Sequence, residues 1–286
     1  MADISAADVM KLRRASGQGM MDCKKALEEA NGDFEAAMEL LRKKGLATLQ
    51  KRADRETTQG RLVSRKSADG RTVAMVTLCC ETDFVARNED FLAVSEKLGD
   101  CALLAAEGGS PQSLMEMQID GRPFSDILTE AVSKIGEKIE IGDFARYTLT
   151  GSGIIGCYVH FNEKTGAMVE IETDSDQTAK ALKQLANELA MHITAIKPIA
   201  VDRESVPSSV LEQERRIAAE QVKNKPANMV EKIVEGKIAK FLKENCLVDQ
   251  PFVKDDSKTV SEVLNEAARA AGGRAKIKRF ARFEIG

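Results

Sequence analysis

Apolar residues recur along this chain in two periods, and the changes from one to the other divide it. Up to residue 45 the spacing is helical. Val9 and Leu12 begin an apolar face behind Ser5 and Asp8, a pair three residues apart that reads as a capping-box-like start. The glycines of "SGQGMM" free the backbone for a sharp turn, and a second helix runs through Ala26, Leu27 and Ala30. After "NGD", Phe34, Ala37, Met38 and Leu41 set out a third helix, which Gly45 is expected to close. Residues 1–45 therefore read as a three-helix module. Residues 46–60 mix charges of both signs without a long apolar face and read as a linker, in part helical.

The period then drops to two, and the pattern occurs twice. "GRLVSRKSADGRTVAMVTLCCETDFVARNEDFLAVSEKL" and "GCYVHFNEKTGAMVEIETDSDQTAKALKQLANEL" each read as a strand, a turn with Gly70 or Gly166, a second strand, "ETD", and an amphipathic helix. Phe91, Val94, Leu98 and Cys101 form the first helical stripe; Leu182, Leu185, Leu189 and Ile193 form the second. A further helix through Ile127, Leu128, Ala131, Val132 and Ile135 and the strand-like "IEIGDFARYTL" connect the copies. Two β-hairpin-plus-helix units make an α+β core, with one half in residues 61–150 and the other in 151–198 and 245–286. Residues 199–244 interrupt the second half. Val210, Leu211, Ile217, Ala218 and Val222 make one stripe and Val230, Ile233, Val234 and Phe241 another, with "NKP" between them. An antiparallel helical hairpin, a short coiled coil projecting from the core, is expected. The tail "RAKIKRFARFEI" reads as a strand with a solvated basic face.

The duplication acts as an internal control. Laid on their shared "ETD", Glu81, Thr82 and Asp83 align with Glu172, Thr173 and Asp174, so the triplet is expected to serve the fold, with Thr or Asp capping the next helix. Phe84 and Val85 then face Ser175 and Asp176. In a chain only 4% aromatic, Phe84 is either a hydrophobic staple on its own helix or an exposed anchor for a partner's pocket.

Composition narrows the function classes. A net charge of -3 with 30% charged and 43% apolar residues fits a soluble globular protein and supplies no field to gather nucleic acid. No secretory or transit leader and no membrane-spanning apolar run is read, which implies a cytoplasmic protein. The six cysteines have neither disulfide-framework nor metal-ligand spacing, so no metal or cofactor is expected. Neither His160 nor His192 has a nucleophile or a second ligand at a productive spacing, and "GQG" lacks the strand and Lys-Ser/Thr of a phosphate loop.

"GQGMMDCKKALEEANGD", "CCETDFVARNEDF", "KIGEKIEI", "AMHITAIKP", the helical hairpin and "RFARFEIG" together resemble bacterial elongation factor Ts, in order and over nearly the whole chain. That resemblance implies a guanine-nucleotide exchange factor for the GTPase elongation factor Tu, bound in its GDP and nucleotide-free states, without covalent chemistry. It implies a ubiquitin-associated-like N-terminal module. It also implies that Thr82, Asp83, Phe84 and Val85 form the motif that dislocates the partner's Mg²⁺ and phosphate site, with Asp83 and Phe84 entering it. Leu12, Met20 and Met21 would dock the module on the GTPase domain, and His160 would face the partner's later domains. Many members carry a further helical module after the segment matching "RFEIG". A homodimer or 2:2 complex through the hairpin stays open, and no direct nucleic-acid or membrane contact is implied. The competing readings are a helical adaptor or chaperone-like module, which needs Leu12, Met20 and Met21 but not Phe84, and more distantly a hydrolase or transferase.

Overall fold

The computed structural model describes residues 4–223 and 226–286. The chain opens with α1 (Ala6–Ser16), α2 (Met20–Glu29) and α3 (Phe34–Lys51). Ser5 caps α1, its hydroxyl oxygen accepting from the Asp8 amide at 3.1 Å, and Gly17 at φ 68° ends it. Val9, Leu12, Cys23, Ala26, Leu27, Ala37 and Leu41 are the module's interior.

The first half of the core follows: β1 (Gln59–Lys66), β2 (Thr72–Cys80), α4 (Asp83–Ala86), α5 (Glu89–Leu104), the small ribbon β3 (Gln118–Ile119) and β4 (Arg122–Pro123), α6 (Phe124–Ile135) and β5 (Ile139–Thr148). The second half runs β6 (Gly153–Val159), β7 (Thr165–Thr173), α7 (Asp176–Ala181) and α8 (Lys183–Ile196). Then come α9 (Ser208–Gln221), α10 (Ala227–Asn245), the ribbon β8 (Pro251–Phe252) and β9 (Asp255–Thr259), α11 (Val260–Ala270) and β10 (Ala275–Glu284). Both three-stranded sheets are antiparallel, ordered β1-β2-β5 and β6-β7-β10. The repeat is therefore longer than a β-hairpin and a helix. It continues through a two-stranded ribbon, a helix and a third strand in both halves, and α9 with α10 is an insertion in the second. "IEIGDFARYTL" and the tail, which look like a connector and a terminus in sequence, are the same structural part.

Alternation along the strands stacks these parts in four layers. Leu62, Val73, Met75, Tyr147, Ile155, Met168 and Phe283 fill the space between the two sheets. Their neighbours Val63, Ala74, Val76 and Leu78 turn outward under α5 and α6, while Ala167, Val169 and Ile171 turn under α8 and α11. β2 is thus covered on both faces, which is why "TVAMVTLCC" is nearly unbroken in hydrophobicity. Gly166, expected in a turn, lies inside β7. A Cβ there would come within 2.7 Å of Leu62 and 3.0 Å of Met75, so the bare backbone lets the sheets close.

α3 does not stop at Gly45. It crosses α6 there, where a Cβ would meet Thr129 Cγ2 at 2.9 Å and the Thr129 carbonyl at 3.1 Å. The glycine serves close approach rather than termination. Gln18 accepts from Ser133 Oγ at 2.9 Å and Arg42 bonds Asp126 at 2.5 Å, so the module is seated on α6 rather than only strung to the core.

In the helical hairpin, Ala218, Val222, Val234 and Ile238 face one another, while Ile217 is exposed outside that seam. Pro226 directly precedes α10; the rest of the "NKP" break falls on residues 224–225, outside the described residues. The base is tied down by Ala200, Val206 and Cys246. The tail's basic face is not free. Arg279 Nε donates to Glu170 at 2.6 Å and lies 4.1 Å over the Tyr147 ring, and Lys278 reaches Glu170 and Glu172 at 3.1 and 3.0 Å. Glu170, only 1% exposed, is a buried anion that needs both cations.

Candidate functional site

β2 ends at Cys80, and the backbone turns through Glu81 and Thr82 into the single helical turn α4. Thr82 is the N-cap, its Oγ1 accepting from the Val85 amide at 3.4 Å. The third helical residue, Val85, points into the core, and the second, Phe84, points away from it with 83% of its surface exposed. The staple reading of Phe84 fails, because a ring so open to solvent is not packed on its own helix. Asp83 beside it pairs with Arg87 at 3.3 Å across solvent.

This tip is held from behind. The Lys138 amide donates to Glu81 at 2.6 Å and, with Arg55 at 3.0 Å, keeps the Glu81 carboxyl below the usual carboxylate range against the cost of its desolvation. Glu137 accepts from both the Thr82 amide, at 3.0 Å, and the Thr82 hydroxyl, at 2.7 Å. Burial, with the Glu137 charge nearby, pushes the Cys80 thiol up to about 12, so it stays protonated and unreactive. Sequence reasoning passed over Glu137; its signal is an acidic residue directly after Gly136, whose φ of 83° ends α6.

The second copy corrects the alignment on "ETD". Ser175 caps α7, accepting from the Thr178 amide at 3.2 Å, and Asp174 accepts from the Arg274 amide at 2.9 Å just as Glu81 does from Lys138. Cys80 pairs with Ile139 at the start of β5, and Thr173 with Ala275 at the start of β10. Structurally, then, Thr82 matches Ser175, Phe84 matches the exposed Gln177, and Val85 matches the buried Thr178. The identical triplets are offset by two residues, because the cap and the carboxylate that locks the third strand occupy different letters of them. The contrast that matters survives the correction: the same outward position carries glutamine in one copy and phenylalanine in the other.

The remaining candidates scatter. Leu12 is fully buried in the module, so it supports that fold and cannot itself meet a partner. Met20 and Met21 are on the surface, 39% and 64% exposed. His160 closes the turn after β6, with Nδ1 2.8 Å from the Tyr158 hydroxyl and its ring 4.2 Å from that of Phe161, which is 89% exposed and has no counterpart in the sequence reading. Tyr158 and His160 border a groove of about 520 Å³ shared with Met191, Lys197 and Arg282. His192 is buried in α8. Among the described residues no group of His, Cys, Asp and Glu is arranged to hold a metal ion, and no helix is long and apolar enough to cross a membrane.

A turn fixed by the fold that presents an exposed apolar ring beside a carboxylate is the kind of surface with which a docking protein meets its partner. Comparison with known proteins gives this class its name. A family model described as elongation factor TS matches residues 81–286. The elongation factor Ts of a Nitratiruptor species is 45% identical over 286 residues, covering 99% of this chain and 93% of that protein. Those of Nautilia profundicola and Aquifex aeolicus are each 40% identical, over 100% and 99% of this chain and 94% and 98% of theirs. The chain belongs to the elongation factor Ts family. It is accordingly a translation elongation factor of the nucleotide-exchange class, whose family partner is elongation factor Tu, and its action is not covalent catalysis.

Proposed function

We propose that this chain accelerates GDP release from elongation factor Tu by inserting the Asp83–Phe84 tip beside the partner's Mg²⁺ and phosphate site, after which GTP rebinds. The single observation that carries the reading is the exposed Phe84 ring on a turn otherwise built for the fold. The turn that carries this aromatic is already fixed by its cap, so contact energy is not consumed in arranging its backbone. A factor of this kind binds the partner's open state better than its nucleotide-closed state. Reciprocity then makes nucleotide weaken the factor by the same ratio. The tip moves no covalent bond and leaves the GDP/GTP equilibrium where it was. Thr82 and Val85 fix the tip from the cap and the core. Met20 and Met21 on the module, which we read as ubiquitin-associated-like, and His160 at the groove are further contacts for the same partner, adaptable methionine suiting such a surface. The helical hairpin is an arm for assembly into a homodimer or 2:2 complex. The site of action is the cytoplasm, with no direct contact to nucleic acid or membrane.

Stopped-flow release of fluorescent GDP from elongation factor Tu tests the tip. Phe84→Ala should slow factor-stimulated release at least about tenfold, as loss of a binding hot spot does. Its melting temperature should hold, because exposed substitutions stay within about 0.5 kcal/mol. Unchanged release with an intact fold would remove the tip from the mechanism. The adaptor reading, which needs the module and not Phe84, would then stand.

A further inference from the structure

We infer that Glu137 is a positioning residue for exchange: its carboxylate, bridging the Thr82 amide and hydroxyl, holds the Asp83–Phe84 tip in a single orientation. The inference rests on the reading of the tip given above.

The geometry is specific. α6 ends at Gly136, whose left-handed backbone turns the chain so that Glu137 leaves the helix axis and meets the turn after β2. One carboxylate oxygen then lies 3.0 Å from Thr82 N and the other 2.7 Å from Thr82 Oγ1. The hydroxyl, whose one hydrogen is donated in the bond to Glu137, is left to accept from Val85 N at 3.4 Å, so the cap's own polarity is set by the clamp. One residue away on each side, Glu81 takes the Lys138 amide at 2.6 Å. Two neighbouring residues of one segment are thus tied to two of the other, and α4, too short to be stable alone, has its first residues fixed in place.

The repeat shows that the fold does not demand this carboxylate. In the second copy Gly272, at φ 78°, takes the place of Gly136, and the position of Glu137 is Gly273. There a Cβ would come within 2.1 Å of Thr178 Oγ1 and 2.4 Å of Asp174 Oδ1, so no side chain fits at all. That copy still caps its helix with Ser175 and still locks its third strand with Asp174. The clamp is found in the copy that carries Phe84 and is missing from the copy that carries Gln177. A turn free to swivel would lose backbone freedom when its ring entered a pocket; a turn clamped at Thr82 has already done so.

A double-mutant cycle on GDP release, using the full chain with elongation factor Tu, tests the inference. Glu137→Ala should slow release about tenfold in the wild-type background and less than about twofold in Phe84→Ala, because the clamp acts through the ring. Hydrogen exchange should rise in the segment 81–88 and stay unchanged over β2. Glu137→Gln keeps one acceptor and should fall between the wild type and Glu137→Ala; it replaces the alanine variant in the cycle should that variant not fold. Equal slowing in both backgrounds, or no slowing by Glu137→Ala, would overturn the inference while a slow Phe84→Ala left the tip itself standing. A silent Phe84→Ala would overturn both.

Discussion

A proton on His192 would have no place for its charge. Its Nδ1 accepts from the Val253 amide at 3.2 Å, so Nε2 carries the hydrogen and donates to Gln250 Oε1 at 2.9 Å, and burial pushes the imidazole below its ordinary range despite that bond. The unfolded chain takes up the proton near pH 6.5, whereas the folded chain takes it up only at lower pH. Stability is therefore full above about pH 6.5 and falls as pH drops toward the folded value, by at most about 1.4 kcal/mol per pH unit. Denaturant titrations between pH 7.5 and 5.5 should show this loss in the wild type and a flatter profile in His192→Gln. At this scale the sequence was a fair guide to what packs and a poor one to what protrudes. The helical period that put Leu12 on a face also buries it, and nothing in the spacing of "TDFV" says that the ring turns outward while the neighbouring valine turns in. That decision belongs to the cap, which sets the phase of α4.

Among elements, the helical hairpin is the one least engaged with the rest. Its seam is internal, its base is a small cluster around Cys246, and its outer surface is charged and includes the exposed Ile217 and Met229. Its two feet lie together, the Ile199 amide bonding the Asn245 carbonyl at 3.0 Å and the Leu247 amide the Ala200 carbonyl at 2.9 Å. Excising residues 208–244 and bridging the feet with a short Gly/Ser linker should leave a folded core. If the arm pairs two copies, light scattering will show the mass fall to that of a monomer while single-turnover GDP release is largely retained. Unchanged mass with release abolished would put the arm on the partner instead. Both helices of this arm were legible, since two apolar stripes broken by proline admit little else. The third strands were not, because each lies far along the chain from the hairpin it completes; the shared "FAR" of Phe144–Arg146 and Phe280–Arg282 was the available clue. The end of α3 was misread for a related reason. A glycine that stops a helix and one that admits a crossing helix look alike until α6 is in place.

In the whole molecule the two halves are completed at different times. β5 reaches β2 soon after it is made, but β7 waits for β10, with α7 through α11 lying between the paired residues Glu172 and Lys276. Until those last residues emerge from the ribosome, β7 is an open edge, rich in Val169, Ile171 and Met168, and such edges recruit other chains. Glu170 sits in the middle of it. In the finished protein Lys278 and Arg279, both on β10, neutralise that carboxylate; in the growing chain neither exists yet, and an unmatched negative charge stands where another strand would have to pair. A chain ended at residue 274 should accordingly stay dispersed longer than the same truncation carrying Glu170→Val, as followed by turbidity at matched concentration. Equal turbidity would deny Glu170 this office. Slower aggregation of the chain that keeps Glu170 would make the ion cluster that closes the second sheet, in the life of the chain, first a guard against the wrong neighbour and afterwards the lock that admits the right one.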